Sequence, residues 1–144
     1  MDFSSGDQRR VIRYGNGPGF LSLICYEVIF PEFSHSVEKP DLLINITNDG
    51  WFGASTGPYQ HLAMARMRSI EQGVPLLRAA NTGVSAVIDA NGTILNSLGL
   101  NKRGHLISHL ELRKANTIYS VYGNAIIFGL ILITCVILIV RRKN

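Results

Sequence analysis

The stretch from Ala125 to Val140 limits this chain more than any other feature. All of its residues are hydrophobic except Gly129 and Thr134, and the charge-free window widens to Ser120–Val140. Those 21 residues would reach about 31 Å as a helix, enough to cross the hydrocarbon core of a bilayer. Tyr119 and Tyr122 stand at the entry, where an aromatic belt is expected, and Arg141, Arg142 and Lys143 follow the exit. The pattern predicts a transmembrane helix over 121–140 and a basic cytoplasmic tail over 141–144, with the body on the other side of the membrane. A signal peptide is excluded by position, because those are N-terminal.

Charge supports the same division. The chain of 144 residues has 14 Lys+Arg, 10 Asp+Glu and a net charge of +4, and three of its cations are Arg141, Arg142 and Lys143. The remaining body is close to neutral, which is the wrong surface for nucleic acid. Two cysteines, Cys25 and Cys135, make no disulfide framework, and no Cys/His cluster has the spacing of a metal site. No metal or other cofactor is expected.

The body reads as an α/β domain. Phe20–Ile24 and Leu42–Ile46 are short apolar runs suited to buried strands. Between them, Tyr26–Phe33 could begin a helix, with Pro31 restricting it. Thr47–Gly57 reads as a loop, and Tyr59–Val74 as a helix with Ala63, Met67, Ile70 and Val74 forming its apolar stripe. Gly73 and Pro75 end that helix. Leu76–Ala80 and Val84–Ile88 read as strands. A hairpin turn at Asp89–Gly92, where Asn91 and Gly92 are the residues that tolerate positive φ, leads to a partner strand over Thr93–Leu98. Leu106–Leu112 alternates and is expected as a last strand.

Two places could carry chemistry. Cys25 closes a strand and precedes a possible helix start, where a thiolate would be favoured; a free cysteine in that setting is otherwise a small buried hydrophobe. Asn48-Asp49-Gly50-Trp51-Phe52-Gly53 follows the second strand and could share its edge. Of the histidines, His61 lies near a helix start, while His35, His105 and His109 sit in no motif; surface or structural roles are expected for all four.

The segment Ile24-Cys25-Tyr26-Glu27, followed by Phe30-Pro31-Glu32, resembles the nucleophile region of the carbon–nitrogen hydrolase (nitrilase-like) superfamily. Its Cys-Tyr-Glu form is similar to that of the apolipoprotein N-acyltransferase family. So are the tryptophan loop from Asn45 to Gly53, Gly57-Pro58-Tyr59-Gln60-His61, Ala65-Arg66-Met67-Arg68, the run from Arg78 to Ser85, and Thr117, Tyr119 and Tyr122-Gly123. Asn124 stands where that family often has Asp.

The resemblance implies a partial nitrilase-like α/β sandwich over 1–114, a juxtamembrane linker over 115–120, and the C-terminal transmembrane helix. It implies an acyltransferase of the bacterial inner membrane, with its body periplasmic. Such an enzyme moves an acyl chain from a phospholipid donor to the N-terminal diacylglyceryl-cysteine of an apolipoprotein, through a thioester on a cysteine that maps to Cys25. Tyr26 and Glu27 would support the nucleophile. Trp51, Phe52 and Asn48 would contact substrate.

In that family a Glu and a Lys of the catalytic triad precede the cysteine, and residues 1–24 contain neither. The expectation is therefore a C-terminal part, inactive alone, with a separately encoded N-terminal half as a possible partner. The rival readings are a membrane-anchored, non-catalytic remnant or subunit and a soluble-type nitrilase amidase.

Overall fold

The computed structural model describes residues 9–34, 38–112 and 114–143. His35, Asp2 and Asp7 lie outside the described residues. Five strands form one mixed sheet in the order β1 (Phe20–Ile24), β2 (Leu42–Asn48), β3 (Leu76–Asn81), β4 (Ser85–Ile88) and β5 (Ile94–Leu98). β1, β2 and β3 are parallel, and β4 and β5 return antiparallel. α1 (Gly57–Gln72) makes the crossover from β2 to β3.

Alternation along the strands decides which face is covered. Leu21 and Leu23 of β1, Leu43 of β2, Leu76 of β3 and Ala86 and Ile88 of β4 join Leu62, Ala65 and Val74 in the core. Burial of each larger aliphatic side chain contributes roughly 1.5–3 kcal/mol. The opposite face presents Ile24 and Ile46, each 53% exposed.

Three sequence expectations are corrected. The segment after Cys25 is two 3-10 helices, Cys25–Ile29 and Pro31–Ser34, because Pro31 lacks the N–H that a continuous α-helix needs. The expected stripe of α1 holds only at Val74, buried just past the helix end: Ala63, Met67 and Ile70 are exposed, and the buried face is Pro58, His61, Leu62, Ala65, Arg68, Ser69 and Gln72. Polar side chains turn inward there because each finds a partner; Ser69 Oγ reaches the carbonyls of Val74 (2.7 Å) and Asp89 (2.5 Å), and Gln72 Nε2 donates to Ser34 Oγ. Finally, 106–112 is not a strand. Its alternation is real, with Leu106, Ser108 and Leu110 half-buried, but Leu106 lies with Ile44, Leu77 and Val87 over the second sheet face, where no ladder partner exists.

Gly73 ends α1 in the left-handed region (φ 63°), and a Cβ there would meet the Ala115 carbonyl at 2.3 Å. The irregular chain after β5 is pinned at this point by Ala115 N–H to Gly73 O (2.9 Å) and by the Thr117 hydroxyl to Glu71 O. α2 (Ile118–Tyr122) and α3 (Ala125–Lys143) follow, separated by Gly123 at φ 53°. Ala125–Arg142 is long and apolar enough to cross a membrane, and none of it is buried against the body.

Candidate active site

The parallel register brings the two sequence candidates together. Ile24 pairs with Ile46, so the carboxyl ends of β1 and β2 lie side by side. Cys25 is the first residue past β1 and Thr47 sits beside it on β2. Cys25 has φ 50°, a left-handed conformation that costs an L-residue about 1–2 kcal/mol. A side chain on a tight, strained strand-to-helix turn is presented away from the sheet, the geometry that a nucleophile elbow uses.

Two polar chains hold this turn, and both begin at Arg78 on β3. The Arg78 side chain is fully buried. Its Nη1 donates to Asn45 Oδ1, and Asn45 Nδ2 donates to the carbonyls of Leu23 (2.8 Å) and Cys25 (3.4 Å). Its Nη2 donates to Asp49 Oδ2 at 2.7 Å, and Nε reaches Val84 O at 3.3 Å. Asp49 Oδ1 in turn lies 3.1 Å from Thr47 Oγ1, which lies 3.4 Å from Cys25 Sγ. Among the described residues, Thr47 is the hydrogen-bond partner of the sulfur. Burial pulls the Arg78 guanidinium below its ordinary pKa, opposed by the Asp49 carboxylate and, less strongly, by Cys25. Gly83 makes room for this network: a Cβ there would stand 2.2 Å from Asp49 Oδ2.

His61, on α1 and 2% exposed, joins the same carboxylate. Its Nδ1 is 2.8 Å from Asp49 Oδ1 and 3.1 Å from Arg78 Nη2; the shorter contact is to a carboxylate oxygen that can only accept, and Nη2 already donates to Asp49, so Nδ1 is assigned the proton. Its Nε2 is buried with no hydrogen-bond partner among the described residues. The ring lies 5.6 Å from the rings of both Tyr26 and Phe52, and with Ile29 and Met64 these line a small pocket.

The other candidates divide. Tyr26 and Phe52 meet, with ring centroids 6.0 Å apart. Glu27 supports the turn rather than the sulfur: its Oε2 accepts from Ile24 N–H (2.7 Å) and its Oε1 pairs with Arg9 (2.9 Å). Trp51 is 86% exposed and separates from Phe52. Asn48 caps the 3-10 helix Asp49–Phe52 through Gly50 N–H and accepts from Asn81 Nδ2. Sequence alone marks Asp49 only as part of the loop 48–53, and does not mark Asn45, Thr47, His61 or Arg78 as site residues. Their signal was there: Asn45 and Thr47 occupy the β2 positions that share a face with Leu43.

This chain belongs to the carbon–nitrogen hydrolase family, whose model matches residues 3–119. Its curated relatives narrow the likeness. The apolipoprotein N-acyltransferase of Rhodopseudomonas palustris is 49% identical over 142 residues, covering 98% of this chain and 26% of the relative. That of Bradyrhizobium diazoefficiens is 48% identical over the same shares. The chain thus spans about a quarter of the length of these relatives. The crystal structure of a carbon–nitrogen hydrolase from Helicobacter pylori shares the fold, with a TM-score of 0.60 at 17% identity over 66% of this chain and 41% of that one.

Proposed function

We propose that this chain carries the nucleophile and a membrane anchor of an apolipoprotein N-acyltransferase of the bacterial inner membrane. The observation that carries the reading is the placement of Cys25, a thiol on a strained turn at the carboxyl ends of two parallel strands, within a chain whose curated relatives bear that name.

In the first half-reaction the Cys25 sulfur attacks the ester carbonyl of a phospholipid. A C–S bond forms, the ester C–O bond breaks, and the lysophospholipid alkoxide leaves with a proton. In the second, the α-amino group of an apolipoprotein's diacylglyceryl-cysteine attacks the thioester. A C–N bond forms, the C–S bond breaks, and the thiol is regenerated as the amine loses a proton. Splitting the exchange lets one lipid occupy the site at a time. Tyr26 and Phe52 supply apolar surface in the pocket over His61, exposed Trp51 meets the lipid phase, and Asn48 holds the loop of Phe52 and Trp51. α3, about 28 Å long at 1.5 Å per residue, keeps the site at the bilayer where both substrates reside.

The base that takes the thiol proton and the donor for the tetrahedral oxyanion belong, on this reading, to the part of the relatives that this chain does not span. One lost oxyanion donor costs about 10²–10³ in rate. The test joins this chain to the remaining part of the Rhodopseudomonas palustris relative and supplies phospholipid with a labelled acyl chain. Label is expected on Cys25 through a hydroxylamine-labile bond, passing to a diacylglyceryl-cysteine peptide. Cys25→Ser abolishes both steps and Cys135→Ser neither, while the 144-residue polypeptide alone forms no thioester. Label retained in Cys25→Ser, or small-amide hydrolysis without transfer from phospholipid, overturns the reading.

A further inference from the structure

Thr47 has one hydroxyl hydrogen and two acceptors. Its Oγ1 stands 3.4 Å from Cys25 Sγ and 3.1 Å from Asp49 Oδ1, and it is buried away from competing water. The hydroxyl cannot donate to both at once. When Cys25 is a thiol, S–H can donate to Oγ1, leaving the Thr47 hydrogen for Asp49. When the sulfur is a thiolate, it needs a donor, and Thr47 is the hydroxyl in place.

We propose that Thr47 is a positioning residue for Cys25 whose hydroxyl turns from Asp49 to the sulfur when the thiol loses its proton. The catalytic meaning of this turn rests on the reading of Cys25 as the nucleophile. Asp49 tolerates the loss of the Thr47 hydrogen because it keeps two donors, Arg78 Nη2 on Oδ2 at 2.7 Å and His61 Nδ1 on Oδ1 at 2.8 Å. An acceptor so anchored holds the hydroxyl aimed at one of two defined directions. No proton passes to Asp49 in this scheme; only the hydroxyl rotor reverses. Among the described residues, the titratable and charged groups on the elements packed at this turn are Asp49 from the loop after β2, Arg78 from β3, His61 from α1, and Tyr26 and Glu27 from the 3-10 helix of Cys25, the last paired with Arg9. Asp49 and Arg78 offset each other, which leaves the Thr47 hydrogen bond as the adjustable contact.

The experiment uses the full chain in detergent, with Cys135→Ser so that alkylation reports Cys25 alone. The rate with iodoacetamide is followed against pH by mass spectrometry. Thr47→Val keeps the shape and removes the donor; alkylation at pH 7 should slow roughly tenfold, with the profile displaced to higher pH, as expected for a lost hydrogen bond to an ionised group. Thr47→Ser restores the hydroxyl and should stay within about twofold of the parent. A second measurement needs no substitution at Thr47: the carbon resonances of its side chain should titrate with the midpoint of the Cys25 Cβ resonance. Equal rates for Thr47→Val and the parent, equal slowing in Thr47→Ser and Thr47→Val, or a Thr47 resonance that ignores the Cys25 midpoint would overturn the proposal. Acyl transfer is assayed separately, with this chain joined to the remaining part of the Rhodopseudomonas palustris relative, so absent transfer there with intact coupling rejects the functional reading and leaves this one standing.

Discussion

At Cys25 the backbone takes a conformation that glycine adopts readily and cysteine does not. The strain has a direct consequence for variants. Glycine ordinarily destabilises an ordered position by about 0.5–1 kcal/mol relative to alanine, and a left-handed L-residue costs about 1–2 kcal/mol. Cys25→Gly should therefore be more stable than Cys25→Ala by about 0.5–1 kcal/mol, read by denaturant unfolding of the full chain. A more stable alanine variant would show that the turn is not strained. The position of the thiol was legible in sequence, at the end of an apolar run. Its partners were not, because Thr47 and Arg78 reach it through the register of three strands rather than through chain proximity.

Among the elements, α1 departs furthest from its pattern. A stripe of Ala63, Met67 and Ile70 has the right period for a buried face, yet the helix turns Ser69, Gln72, Arg68 and His61 to the protein. Hydrogen bonding makes the polar face tolerable: the Ser69 hydroxyl has carbonyl acceptors at 2.7 and 2.5 Å, so its single hydrogen is satisfied on burial. Ser69→Ala should cost about 1–3 kcal/mol, since it removes the one hydrogen these carbonyls share. Met67→Ala should fall within about 0.5 kcal/mol of the parent. Thermal melts that reverse this order would restore the apolar stripe as the packed face.

The junction between β2 and the irregular chain after β5 carries a pH dependence. Asp41 accepts from Lys114 (2.8 Å), Gly19 N–H (2.6 Å) and Arg13 (3.1 Å), and these partners, Lys114 first, hold its carboxyl below the ordinary aspartate value of 3.8. A folded-state pKa below the unfolded one gives stability that is present above 3.8 and lost as pH falls through the folded value. Asp41→Asn should flatten the decline between about pH 5 and pH 2, measured as unfolding free energy. An unchanged acid limb would place the loss at other carboxylates.

For the molecule as a whole, α3 is, among the described residues, the helix long and apolar enough to cross a membrane. With Arg141 and Arg142 at its end, the positive-inside rule predicts, as part of the proposed function, a cytoplasmic C-terminus with the sheet on the far side. A reporter fused after Asn144 should be active in the cytoplasmic configuration; an external signal would invert the topology and remove the envelope setting from the proposed function. The length and charge of that segment, the α/β alternation, the strand cores at Phe20–Ile24 and Ser85–Ile88, and the thiol at Cys25 follow from local pattern. Period, polarity and turn chemistry act over a few residues, so sequence alone determined them. What the tertiary structure decided is where the inward polar groups go. Asn45, Thr47, Asp49, His61 and Arg78 come from β2, its following loop, α1 and β3, and they meet because parallel strands align their carboxyl ends and the crossover helix packs over them. A buried charge is stable only when such distant partners converge on it, and that convergence is a property of the packed sheet.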